Sequence, residues 1–149
     1  SACALAADEA PPAAMGRAEL KRVRQAFVTS TRRAMRLGFA TVQLHFAHGY
    51  LMHQFLSPVA NGRTDEYGGP LENRLRYPLE VLDAVRQACP DTPLGMRVSA
   101  TDWMDGGWDL EQTVQLAQRA NEVMLYKSLG GGWMDTDPNA PEAAAAPDL

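Results

Sequence analysis

A parallel α/β architecture is the fold class this sequence predicts, and two observations predict it. Helix-like and strand-like segments alternate between Ala18 and Asn121, and a cluster of imidazoles and a phenol stands at the end of the first strand-like segment. Alternation of this kind buries a parallel sheet under helices, and such sheets place their chemistry at the C-terminal ends of the strands.

The first helix is expected over Ala18–Leu37, where Leu20, Val23, Phe27, Ala34 and Leu37 recur at helical spacing and Gly38 follows as a left-handed terminator. Its other face carries Lys21, Arg22, Arg24, Arg32, Arg33 and Arg36. No aromatic residue interleaves them, so this reads as a solvated helix face rather than a nucleic-acid or lipid patch. Thr41–His45 is β-branched, apolar and too short for another helix, and it predicts a buried strand. Asn61 to Gly69 is a polar, glycine-punctuated loop. Leu71, Leu75, Leu79, Leu82 and Val85 then mark a helix over Leu71–Ala88, which Pro78 is expected to kink or restart. A second strand, Leu94–Ser99, follows the turn at Pro90–Pro93. A third helix over Asp109–Asn121 is announced by the capping-box spacing of Asp109 and Gln112, with Leu110, Val114 and Ala117 as its inner stripe. Val123–Tyr126, leading into Gly130-Gly131-Gly132, is expected to be a last strand and loop.

With 149 residues, 46% of them hydrophobic, the chain has the material for one core. The Ala/Pro-rich ends, 1–16 and 134–149, read as disordered tails flanking a central segment, 17–133, and a first residue other than Met suggests a piece of a longer reading frame. A net charge of −4 does not attract phosphate backbones, and no apolar run approaches the roughly 20 residues that span a bilayer. No nucleic-acid partner, no membrane and a cytoplasmic location are therefore expected. Cys3 and Cys89 have no metal or disulfide spacing, and Cys89 reads as an inert thiol at a helix end.

The candidate chemistry lies in His45-Phe46-Ala47-His48-Gly49-Tyr50. Two imidazoles can donate hydrogen bonds to one carbonyl or enolate oxygen, and a neighbouring phenol can deliver a proton to carbon. The alternative is a packed strand-end histidine without a catalytic role. A metal held by His45, His48 and His53 is not expected, because no acidic partner stands at a ligand spacing. On the second strand, alternation sets Gly95, Arg97 and Ser99 on one face and Leu94, Met96 and Val98 on the other. An arginine in such a strand needs an acceptor, either a loop carboxyl such as Asp102 or an electron-rich cofactor ring.

The run from His45 to Pro58, followed by Asn61-Gly62-Arg63-Thr64-Asp65-Glu66-Tyr67-Gly68-Gly69, Glu72-Asn73-Arg74 and Arg97-Val98-Ser99-Ala100, closely resembles the Old Yellow Enzyme family. The likeness runs from about Arg17 to Glu122. It implies a TIM (β/α)8 barrel of which this chain supplies two to three βα units, with FMN and NAD(P)H as cofactors and an activated alkene or enone as substrate. By the same resemblance, the counterparts of His45 and His48 bind the substrate carbonyl oxygen, that of Tyr50 donates the proton, and that of Arg97 contacts the flavin ring. Arg63 to Gly69 and Glu72-Asn73-Arg74 look like scaffolding. Gln43 stands where family members are usually acidic. The family's first strands and its phosphate-gripping last strands have no counterpart here. A partial barrel exposes strand edges, so self-association is expected, and a truncated, non-catalytic barrel remnant or assembly piece is the alternative function.

Overall fold

The computed structural model describes residues 13–128, and among them the elements run α1 Arg17–Arg36, β1 Val42–Phe46, α2 Leu51–Leu56, α3 Leu71–Ala88, β2 Leu94–Val98 and α4 Leu110–Ser128. Most of the expected N-terminal tail, all of the expected C-terminal tail and the loop at Gly130–Gly132 lie outside the described residues. Met15 and Gly16, at the end of the first of these segments, belong to the fold. Met15 packs on the core, and Gly16 precedes α1 with its amide donating to Glu19 Oε2 at 3.0 Å.

β1 and β2 pair in parallel, with Val42 opposite Leu94, Leu44 opposite Met96, His45 opposite Arg97 and Phe46 opposite Val98. Side chains alternate across the sheet, so Val42, Leu44, Phe46, Leu94, Met96 and Val98 turn to one face and Gln43, His45, Gly95 and Arg97 to the other. The first set joins the core with Tyr77, Val81, Leu82 and Val85 of α3 and Leu20 and Val28 of α1. α3 also packs against α2 and α4. A satellite cluster of Leu56, Leu75, Trp108 and Leu116 fills the space toward the C-terminal ends of the strands. The helices therefore cover one face of the sheet and leave the polar face open.

Four sequence expectations are corrected. α4 continues to Ser128, so Val123–Tyr126 is helix rather than strand; Val123 and Met124 pack on the core, and Arg86 reaches Met124 Sδ at 3.2 Å. The inner stripe of α4 is not Leu110, Val114 and Ala117, all of which are exposed, but Leu116 and Ala120. Two polar anchors set this rotation: Thr113 Oγ1 donates to Ala100 O at 2.9 Å, and Arg74 Nη2 donates to Gln112 Oε1 at 2.7 Å. Of the kink or restart expected at Pro78, the restart is not found: α3 is continuous, its fully buried neighbours Tyr77 and Val81 holding the helix through the missing amide bond. Leu37 lies outside the buried stripe of α1, at the solvent-facing C-cap. The short helix α2 has no counterpart among the expected elements.

Candidate active site

β1 ends at Phe46, and the chain turns at once through Ala47, His48 and Gly49 into α2, whose N-cap is Tyr50. The turn is built from left-handed residues, His48 at φ 59° and Gly49 at φ 73°. Glycine adopts this conformation freely, whereas a histidine there needs something to hold it. Ser99, just past β2, supplies that hold: its Oγ accepts from the His48 amide at 2.9 Å.

Three rings converge at this turn. The His45 ring lies 5.1 Å from that of His48 and 5.4 Å from that of Tyr50, centroid to centroid. His45 is half-buried, His48 is exposed and Tyr50 is 64% exposed, so their polar atoms open onto solvent rather than into the helix layer. Arg97 is the cross-strand neighbour of His45 on the same open face. Its guanidinium makes no hydrogen bond or ion pair with any described residue. The ion pair between Arg97 and Asp102 weighed from the sequence is not formed, because Asp102 is engaged on the other side of the loop. Two residues before Arg97, Gly95 has nothing within 4 Å of where a Cβ would stand, so the strand offers a flat strip beside the guanidinium.

The sequence reading missed what lies beneath the turn. The Gly49 amide donates to His53 Nδ1 at 2.8 Å, and His53 Nε2 lies 2.9 Å from Asp102 Oδ1, outside the alignment of a hydrogen bond. Asp102 Oδ2 accepts from Ser57 Oγ and from the Trp108 amide, each at 2.7 Å. Trp108, fully buried, donates its indole N–H to Ser99 O at 3.0 Å. The side chains of His53 and Asp102 are only 10% and 8% exposed. One signal was available: a histidine between Met52 and Phe55 in an apolar stretch requires a polar partner, by the rule already applied to Arg97.

The polar loop after α2 is scaffolding. Asn61 Nδ2 donates to Phe55 O and Tyr67 O at 2.7 and 2.8 Å, and the Arg63 guanidinium pairs with Asp65 while standing 5.6 Å from the Phe55 ring centre. Hydrogen bonding from Arg63 holds the Asp65 carboxyl below its usual range. Arg74, buried in α3, donates to Gly69 O, Leu56 O and Gln112 Oε1 and so ties loop, α2 and α4 together. Burial lowers its pKa against the opposing charges of Asp109 and Asp102.

The family model described as NADH:flavin oxidoreductase / NADH oxidase matches residues 3–136. An NADH:flavin oxidoreductase of Gibberella zeae is 46% identical over 118 residues, 72% of this chain and 29% of its own length. An NADPH dehydrogenase of Bacillus subtilis is 43% identical over 141 residues, 93% of this chain and 41% of its own length. Among solved structures, a 2-naphthoyl-CoA reductase in complex with 2-naphthoyl-CoA superposes with a TM-score of 0.73 at 34% identity, over 76% of this chain and 17% of that one. This chain thus spans about two-fifths or less of the relatives it matches, and its parallel βα units are a section of a TIM barrel. With sheet, motifs and relatives in agreement, the chain belongs to the NADH:flavin oxidoreductase / NADH oxidase family.

Proposed function

We propose that this segment carries the reacting groups of an FMN-dependent NAD(P)H oxidoreductase that reduces an activated alkene or enone. The observation that carries the reading is the convergence of His45, His48 and Tyr50 at the end of β1, beside an arginine on the paired position of β2 whose guanidinium has no partner among the described residues. The open strip at Gly95 and the unpaired Arg97 guanidinium suit a planar, electron-rich group. Bound there, a flavin reduced by NAD(P)H supplies a hydride to the substrate's β-carbon.

The protein's own residues do the rest. Arg97 holds the cofactor through charge-assisted hydrogen bonding and favours electron density at its edge. His45 and His48 donate to the substrate carbonyl oxygen, and these bonds strengthen as negative charge collects on that oxygen, so they stabilise the transition state more than the ground state. Tyr50 gives its phenolic proton to the α-carbon, which completes saturation of the C=C bond.

Stopped-flow absorbance of the flavin in the loaded protein that carries this segment separates the two half-reactions. Tyr50→Phe is expected to slow the alkene step by about 10²-fold or more while leaving flavin reduction by NAD(P)H near wild type, since only the former needs the proton. His48→Ala is expected to weaken binding of enone or phenol-like ligands. Equal slowing of both half-reactions by Tyr50→Phe would remove Tyr50 from the proton-donor role.

A further inference from the structure

The buried contacts under the turn carry an inference about how the site is held. The Gly49 amide donates to His53 Nδ1, so that nitrogen carries no proton and the neutral ring bears its hydrogen on Nε2. Nε2 lies 2.9 Å from Asp102 Oδ1, off the line of a hydrogen bond, and a carboxylate's negative charge that close favours the same tautomer. With the proton on Nδ1 instead, two donors would face each other at Gly49, and the turn would keep only the second of its side-chain ties to α2, Gln54 Nε2 donating to Gly49 O at 2.8 Å.

Asp102 is itself fixed from several directions. Ser57 Oγ and the Trp108 amide hold its other oxygen, and the Asp102 amide donates to Trp108 O at 2.8 Å. The backbone at Gly107 passes so close that a Cβ there would stand 2.8 Å from that of Asp102. A rigid carboxyl in the β2–α4 loop thereby sets the tautomer of a histidine in α2. That histidine sets the turn on which His48 and Tyr50 sit.

We propose that His53 and Asp102 are the positioning pair of this site: Asp102 selects the Nε2-protonated form of His53, whose bare Nδ1 anchors Gly49 and fixes where Tyr50 and His48 present their polar atoms. The proposal rests on reading His45, His48 and Tyr50 as the reacting groups, and it adds the device that keeps them in register with β2. Neither residue touches the open face, so neither is a catalytic residue.

The test uses the 149-residue chain, labelled with ¹⁵N, and needs no turnover. Long-range ¹H–¹⁵N spectra read the tautomer of His53, amide exchange reads Gly49, and NOEs between the His45 and Tyr50 rings read the geometry. Asp102→Asn is isosteric: it keeps an acceptor for Ser57 and Trp108 but turns an NH₂ donor toward His53. The expected result is a switch of His53 to the Nδ1-protonated form, at least about tenfold faster exchange at Gly49, and weaker NOEs between the rings, with the amides of Val81 and Leu82 still protected. His53→Asn puts its Oδ1 where Nδ1 stood and should keep Gly49 protected, whereas His53→Leu should not. An unchanged tautomer with unchanged Gly49 exchange in Asp102→Asn would overturn the proposal. So would equal Gly49 protection in His53→Asn and His53→Leu, a comparison that still decides if Asp102→Asn fails to fold. Failure of the proposed function would appear elsewhere, as equal slowing of both flavin half-reactions by Tyr50→Phe.

Discussion

Tyr77 lies in the middle of the core, its hydroxyl donating to Leu20 O at 2.9 Å and so joining α3 to α1. Burial pushes its phenol up to about 12, against an ordinary value of 10.0. Below pH 10 the phenol is protonated in both folded and unfolded chains, and its contribution to stability is complete. Between pH 10 and 12 only the unfolded chain releases the proton, so stability falls with a total loss of roughly 3 kcal/mol. Urea denaturation across that window should show the slope, and Tyr77→Phe should lower stability by about 1 kcal/mol at pH 7 while flattening it. Tyr77 is legible in the sequence only as one more apolar position. At the candidate site, residue type and strand-end placement singled out His45, His48, Tyr50 and Arg97, because each breaks a local apolar pattern. The partnership of His53 and Asp102 is not legible, since it joins α2 to the β2–α4 loop, which meet only once the strands have paired.

The start of α4 follows from its cap, its end does not, and helix faces do not always follow from periodicity. Asp109 and Gln112 form the start of α4 as their spacing indicates, with Asp109 Oδ1 accepting from the Gln112 amide at 2.9 Å and Oδ2 from its side chain at 3.0 Å. The amide bond, then the side-chain bond, holds the Asp109 carboxyl below its ordinary 3.8. A lowered folded-state pKa means that the cap's contribution is present above pH 3.8 and is lost as pH falls through the folded value. Thermal unfolding below pH 4 should therefore lose midpoint faster in the wild type than in Asp109→Asn, which keeps an acceptor that does not titrate; identical pH profiles would show that the charge plays no part. The wrong stripe was chosen for α4 because Leu110, Val114 and Ala117 fit a helical face as well as Leu116 and Ala120 do, and only the anchors at Gln112 and Thr113 decide between them. The four apolar residues of Val123–Tyr126 suit a strand or a helix equally, and the packing of Val123 and Met124 on the core decides for helix. α2, from Leu51 to Leu56, is too short to show a period at all.

At the scale of the whole molecule, helices cover one face of a two-stranded sheet and the site occupies the other. Among the described residues, the open face offers the Arg97 guanidinium to the flavin ring proposed above. We expect the 149-residue chain to bind FMN at least about a hundredfold more weakly than the longer relatives, because a ligand held by ring contacts alone forgoes its most strongly anchored group. Titration of flavin fluorescence measures this, and tight stoichiometric binding would show that the ring side suffices. The ties that fix the three rings have a consequence for the order of assembly. The bonds from His48 to Ser99, Gly49 to His53 and Trp108 to Ser99, and the contact between His53 and Asp102, all fall between the start of β1 and the start of α4. The site's geometry is thus contained within one βαβ passage, and a nascent chain acquires it once Trp108 has cleared the ribosome and β2 has paired with β1. In pulse-labelled refolding, protection at Gly49 and Trp108 should rise together with the pairing of β1 and β2 and should not wait for flavin.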